Sequence, residues 1–277
     1  MEVKKVSSIK HRMIVDAALY FATVGLRRFP QAALSLGAAL CLRSARSKSL
    51  VRLPAPAGLT VYATTDIVDS VVRNMLHIFY FRDYEAFPGF EPKRDWVVVD
   101  AGAYVGLYTL RAAKLVGLGG RVVAIEPQPE AYRLLRLNVA ANRLCNVSTL
   151  GACLAGRWGV AELLVPPTPI NATLYEEYAE AYGGPLRRVR VRSVPLDAVL
   201  SKLGRVDLLK LDIEGAELEV VEGSRLLQPS AVGRVIIEAH PPLTEPGELA
   251  SLLEERGYSA AVYLPDEPLH QAFVYAF

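Results

Sequence analysis

The sequence predicts an α/β protein: a doubly wound, mostly parallel sheet closing in a C-terminal antiparallel hairpin, preceded by an N-terminal helical extension. Three observations predict it. Short apolar runs that end in an acid recur from Trp96 onward, helix-length segments separate them, and the last two runs share a link too short for a helix.

Trp96-Val-Val-Val-Asp100 has the continuous apolar character of a strand buried on both faces. Ala101–Gly106 follows as a glycine-containing turn, and Leu107–Val116 reads as a helix. Arg121-Val-Val-Ala-Ile-Glu126 repeats the pattern, with a helix from Pro127 to Asn142 that turns Leu134, Leu135 and Leu137 toward the sheet. Val147–Leu150 and Ala161–Val165 read as further strands, then Leu208–Asp212 and Val235–Glu238 with a helix from Ala216 to Leu227 between them. Strands alternating with helices give a parallel sheet covered on both faces. Ser259–Tyr263 and Gln271–Phe277 are joined only by Leu264–Leu269, so they must pair antiparallel.

The 277 residues are 52% apolar and 22% charged, enough for one large core with a smaller annex. The net charge of +2 conceals an asymmetry: residues 1–52 hold ten Lys/Arg against Glu2 and Asp16, a surplus of +8 that leaves −6 to the remainder. Residues 13–26 and 29–42 are apolar stretches of 14 residues each, short of the roughly 20 that cross a bilayer as a helix. Residues 1–60 are therefore expected as a basic, apolar helical extension, 61–94 as a helical lead-in and 95–277 as the catalytic domain. The extension either packs on the core or another subunit, or lies in a membrane interface with its Lys/Arg flanks on anionic lipid. With no secretory signal, a cytoplasmic protein is expected, peripheral membrane contact through residues 1–52 remaining open. Cys41, Cys145 and Cys153 show no zinc spacing and read as small buried residues, and no metal site is assigned.

Ligands of parallel sheets bind beyond the carboxyl ends of the strands, where Asp100, Glu126, Asp212 and Glu238 fall. Gly102 permits close backbone approach and Gly106 a tight helix start. Glu126, twenty residues past Gly106, can accept from both hydroxyls of a ribose. An NAD site needs GxGxxG to seat a pyrophosphate at the helix N-terminus. Here the loop is Gly102-Ala-Tyr-Val-Gly106, one glycine short, with a bulky Tyr104 and an acid in front. That acid repels a pyrophosphate and tolerates the cationic end of S-adenosylmethionine. The cofactor set is thus Asp100, Gly102, Ala103, Tyr104, Gly106, Glu126, Pro127 and Asp212. With the terminal hairpin, the architecture is that of a class I methyltransferase (Rossmann-like) rather than a dinucleotide dehydrogenase.

These residues resemble the FkbM family of S-adenosylmethionine-dependent methyltransferases. The resemblance rests on Asp100–Thr109, Ala124–Pro127 with Asn138 and Asn142, Ser193–Asp197, and above all Val206–Glu217 followed by Glu222-Gly223. It spans about 95–242 and implies methylation of hydroxyl groups, often on sugars or secondary metabolites. Two departures stand out. The family usually has Asn where Tyr104 stands, and an acid after the third strand where this chain reads Ala152–Gly159 without one.

Methyl transfer to a hydroxyl gains from a base, and the candidates follow the fourth and fifth strands: Asp212, Glu214 and His240, with Glu217 and Glu238 nearby. Asp212 and Glu214 can instead hold the cofactor's amine or a divalent metal. Glu217 and Glu219 read as helix residues, one capping and one solvated, and Lys210 as the partner of Asp212 or Asp100. Pro166–Arg188 is long enough to be a lid or substrate loop, and Arg187, Arg188, Arg190 and Arg192 alternate as a solvated edge strand. The partner expected is a small-molecule or glycan substrate, specifically a sugar, glycolipid or related metabolite, with no nucleic acid; the oligomeric state is not legible. A catalytically silent methyltransferase-like module and an NAD-dependent oxidoreductase are the alternatives.

Overall fold

The structure, a computed structural model, describes residues 15–44, 48–265 and 271–277. Lys4, Lys5, Lys10, Arg12 and Arg46 of the basic segment, and 266–270 of the terminal link, lie outside the described residues. Helix α1 (15–24) leads through a short 3₁₀ turn into α2 (Phe29–Ser44). The next segment corrects the expectation of a helical extension to residue 60. β1 (Leu50–Pro54) and β2 (Thr60–Thr64) form an antiparallel hairpin, because their apolar residues recur every second position and Val51, Leu53, Val61 and Ala63 bury together. Tyr20 donates to the carbonyl of Pro54 at 2.8 Å, and Arg28 donates to those of Ala55 and Leu59 at 2.6 Å, tying the helices to the hairpin turn. The lead-in is likewise corrected at its start, which is β2. It then becomes α3 (Val68–Leu76), a single π turn over His77–Phe81 and a 3₁₀ turn over Asp83–Glu85.

The seven-stranded sheet comprises β3 (Val97–Ala101), β4 (Arg121–Ile125), β5 (Val147–Leu150), β9 (Leu208–Leu211), β10 (Val235–Ala239), β11 (Ala260–Tyr263) and β12 (Ala272–Ala276). Its order is β11-β12-β10-β9-β3-β4-β5; β12 runs antiparallel to both neighbours and the other described pairings are parallel, as predicted. Alternate residues face opposite layers. Val98, Val122, Leu208 and Ile236 pack under α3, α4 (Leu107–Val116) and α5 (Pro129–Ala141). Val99, Val123, Leu209 and Ile237 pack under α7 (Leu196–Leu200), α8 (Glu217–Gly223) and α9 (Pro246–Glu255). Leu134 and Leu135 of α5 are buried as expected, but Leu137 is exposed, since it lies about 200° round the helix from Leu135.

The helix predicted over Ala216–Leu227 stops at Gly223. There Asp197 accepts from the Ser224 hydroxyl and from the amides of Arg225 and Leu226, capturing the chain as it leaves the helix. β6 (Cys153–Leu154), β7 (Gly159–Val165) and β8 (Arg187–Val194) form a second sheet in the order β6-β8-β7, with α6 (Glu176–Glu180) in the insertion. β8 is central in strand order, but β6 pairs it only at Ser193 and Val194, so among the described residues its arginine-bearing stretch has β7 alone beside it and is the expected edge. Its charges are tolerated because Arg188 pairs with Glu162 on β7 and with Glu176, and Arg187 with Glu130. Cys153 is buried, whereas Cys41 and Cys145 are exposed, which corrects the reading of all three as buried.

Asn138 and Asn142 join α5 to the hairpin. Asn138 accepts from the amide of Tyr62 at 2.6 Å and donates to the carbonyls of Tyr62 and Val105; Asn142 makes the same amide-and-carbonyl pair with Thr60. Two side chains thus act as a strand partner for β2.

Candidate active site

Beyond the carboxyl ends of β3, β4, β9 and β10 lies a cavity of about 270 Å³. One half is lined by Gly102, Ala103, Tyr104, Ile125, Glu126 and Pro127, with Ala152, Cys153 and Leu154 beyond. The loop after β3 is pressed onto β4, the amides of Gly102 and Ala103 both donating to the carbonyl of Ile125 at 3.0 Å. Gly102 has φ +76°, and a Cβ there would lie 1.6 Å from the carbonyl oxygen of Asp212, so only glycine fits. Gly106 does not line the cavity; it lets α4 start against Leu135, where a Cβ would approach within 2.6 Å.

Glu126 is buried, and its two oxygens accept from the amides of Tyr104 and Gln128 at 2.7 Å each. Burial raises its pKa to about 7 against the pull of those amides. Tyr104 has φ +51°, its ring joins the apolar core, and its buried hydroxyl has no hydrogen-bond partner among the described residues. The stretch without an acid after β5 presents Ala152, Cys153 and Leu154 to the cavity. Asp100 departs from expectation. It is fully buried and does not line the cavity, because Thr109 donates to its Oδ2 at 2.5 Å and Lys210 Nζ lies 3.3 Å from its Oδ1.

The other half of the cavity brings Asp212, Glu214 and His240 together, as the strand-end positions predicted. His240 Nε2 lies 3.7 Å from Asp212 Oδ1 and 3.7 Å from Glu214 Oε2. Lys210 pairs with both of its predicted partners, reaching Asp212 Oδ2 at 3.1 Å. Although burial opposes ionisation, Lys210 and His240 hold the Asp212 carboxyl below its usual range. Burial pushes Glu214 up to about 8, with Asp212 adding to the rise against His240, and pushes Glu238 up to about 7. His240 is raised despite its burial, by Glu217 and Glu214.

Glu217 is more than a helix cap. It is fully buried, accepts from the amides of Ile213 and Gly215, and lies 2.9 Å from His240 Nδ1. Glu219 is not merely solvated either, accepting from the Gly156 amide at 2.8 Å and the Tyr175 hydroxyl at 3.1 Å. Sequence reasoning missed Tyr84, whose hydroxyl lies 2.9 Å from Asp212 Oδ2 and 2.5 Å from Glu238 Oε2. A single tyrosine in the lead-in carries no signal of that placement. Ser70, Arg73, Asn74 and His77 of the lead-in also line the cavity, and their 3-1-3 spacing is a polar helical stripe that the sequence does display.

The sequence matches the profile of the Methyltransferase FkbM domain over residues 100–260. The chain belongs to the FkbM methyltransferase family. Its cofactor is S-adenosylmethionine, and the NAD-dependent oxidoreductase is set aside. Among similar curated proteins, Methyltransferase sdnD of Sordaria araneosa is 32% identical over 203 residues, covering 61% of this chain and 78% of that protein. Methyltransferase 1 of Beauveria bassiana is 28% identical over 192 residues, 62% of this chain and 76% of that protein. Similar solved structures include a SAM dependent methyltransferase from Aquifex aeolicus, at TM-score 0.40 and 19% identity over 67% of this chain and 83% of that one. Another is Aeropyrum pernix fibrillarin with natively bound S-adenosyl-L-methionine, at TM-score 0.44 and 14% identity over 82% and 93%. Among the described residues of this FkbM chain, no helix is long and apolar enough to cross a membrane.

Proposed function

We propose that this methyltransferase is O-directed and acts on a hydroxyl of a sugar, glycolipid or related small metabolite. The observation that carries the reading is the shared cavity: Gly102–Tyr104 and Glu126 line one half, Asp212, Glu214 and His240 the other. Ala103, Tyr104 and Pro127 complete the cofactor's bed, and Glu126 takes the ribose hydroxyls on the lone pairs its two amide contacts leave free. Asp100 and Gly106 support the loop from beneath.

Transfer is an in-line displacement, and alignment of donor and acceptor can supply on the order of 7–11 kcal/mol. Glu214 is assigned the base, because its Oε2 is buried at the cavity without a hydrogen-bond partner among the described residues. Glu214 would take the proton of the acceptor O–H, and bound S-adenosylmethionine would supply the methyl group to that oxygen, its sulfur keeping the electron pair of the broken carbon–sulfur bond. The products are a methyl ether and neutral S-adenosylhomocysteine. Asp212 and His240 hold the acceptor oxygen in front of the methyl group, and the segment from Thr168 to Leu174 closes that end of the cavity.

The test pairs calorimetric titration of S-adenosylhomocysteine with transfer of labelled methyl groups to a panel of glycans, polyols, amines and thiols. Binding together with label on hydroxyl acceptors is expected, and Glu214→Gln should lower kcat by about 10²–10⁴ with cofactor affinity little changed. Label confined to amines or thiols would overturn the O-directed assignment. Binding without turnover of any acceptor would favour the silent module.

A further inference from the structure

We propose that Asp212, Glu238 and His240 bind a divalent cation of the Mn²⁺ type, which anchors an acceptor carrying two neighbouring oxygens. The proposal rests on the reading of this cluster as the acceptor end of the cavity and deepens it. One ligand atom from each of the three residues lies within 4.8 Å of the others. His240 is only 2% exposed, and its Nε2, without a hydrogen bond among the described residues, points between the carboxylates of Asp212 and Glu214.

The cluster is more than an accumulation of acids, because each ligand is fixed through its other atom. Glu217 Oε1 holds His240 Nδ1 at 2.9 Å, which sets the ring orientation and leaves Nε2 as the free nitrogen. Lys210 and Tyr84 hold Asp212 Oδ2 at 3.1 and 2.9 Å, leaving Oδ1 toward His240. Tyr84 also holds Glu238 Oε2 at 2.5 Å. Outer-shell partners of this kind, a carboxylate behind a histidine above all, are what position ligands around metal ions.

Two carboxylates with one imidazole suit a borderline-hard ion such as Mn²⁺ better than Ca²⁺, which takes six or more oxygens, or a zinc site built on thiolates. Three protein ligands leave open positions on one side. A vicinal diol or hydroxy-carbonyl would fill two of them, presenting one oxygen to the methyl group. The ligands come from the ends of two adjacent strands, so no short cysteine or histidine spacing in the sequence announces them.

The experiment titrates Mn²⁺ into the full chain and follows loss of the free-ion signal by electron paramagnetic resonance. Binding of one Mn²⁺ per chain is expected, weakened at least about tenfold in His240→Gln and Glu238→Gln, and by about 10–100-fold in Glu217→Gln. Calorimetry with S-adenosylhomocysteine in the presence of a chelator checks folding and the cofactor independently. Cofactor binding without Mn²⁺ binding, or Mn²⁺ binding equal in all variants, overturns the cation site and leaves the methyltransferase reading standing. Failure of the unsubstituted chain to bind S-adenosylhomocysteine would instead count against the cofactor site.

Discussion

Lys210 Nζ lies 3.3 Å from Asp100 Oδ1, and the two residues face each other in register on β9 and β3 with 2% and 0% of their side chains exposed. The lysine also sits 4.9 Å from the ring centre of Tyr84. One ammonium is therefore shared between the acid under the glycine loop and the acid at the cavity. Lys210→Met leaves Asp100 buried without its counter-charge and Asp212 with His240 alone, a loss of about 3–5 kcal/mol. Urea unfolding of the cofactor-free protein measures it, and an unmoved midpoint would contradict the role.

Gly102→Ala combines a positive φ with a Cβ placed 1.6 Å from the Asp212 carbonyl. Relief requires the loop to lift from β9, which displaces the amides of Ala103 and Tyr104 from their partners. A destabilisation of about 3 kcal/mol is expected, with loss of measurable S-adenosylhomocysteine binding. Calorimetry on the folded fraction checks it; retention of wild-type affinity would show that the loop need not sit so close.

Cofactor affinity should depend on pH through Glu126. Burial raises its pKa from 4.5 to about 7 in the folded chain, so below that pH the group carries a proton that ribose binding must expel. Affinity for S-adenosylhomocysteine is expected to fall about tenfold per unit as pH drops below 7, the signature of one linked proton. The sign for stability runs the other way. The unfolded chain releases this proton at lower pH than the folded one, so the group lowers cofactor-free stability as pH rises from 4.5 to about 7. Titrations in buffers of different ionisation heat count the proton directly, and a pH-independent Kd would remove Glu126 from the contact.

The strands β3, β4, β9 and β10 were legible because burial on both faces forces continuous apolar runs, and the acids ending β4, β9 and β10 marked the cavity, while Asp100 at the end of β3 lies beneath it. The hairpin of β1 and β2 was not. It lies beside two apolar helices, and its period-two pattern is only a few residues long on each strand. The sequence marks Glu217 and Glu219 only as helix residues, one capping and one solvated, yet the Glu217 carboxylate reaches across to His240, a relation that depends on the tertiary packing of α8. Tyr84 was invisible for a similar reason: only the folded lead-in brings it to Asp212 and Glu238.

Asn138→Ala should be costly for a polar substitution on a helix. It removes one side chain that satisfies the Tyr62 amide, the Tyr62 carbonyl and the Val105 carbonyl. A loss of about 2–3 kcal/mol is expected, together with faster proteolysis between residues 26 and 64. Thermal unfolding and limited digestion check both; a change within about 0.5 kcal/mol would show the hairpin to be held by its apolar contacts alone.

The pairing of Asn138 and Asn142 with β2 also bears on how this protein behaves in a crowd. A two-stranded sheet exposes unpaired amides and carbonyls that invite a strand from another molecule. On β2 the groups of Thr60 and Tyr62 are already taken, by side chains that cannot be extended into a further strand. Resistance to edge-to-edge aggregation at this site is thus lodged in a helix of the catalytic domain. Loosening that helix would threaten solubility before it threatened chemistry.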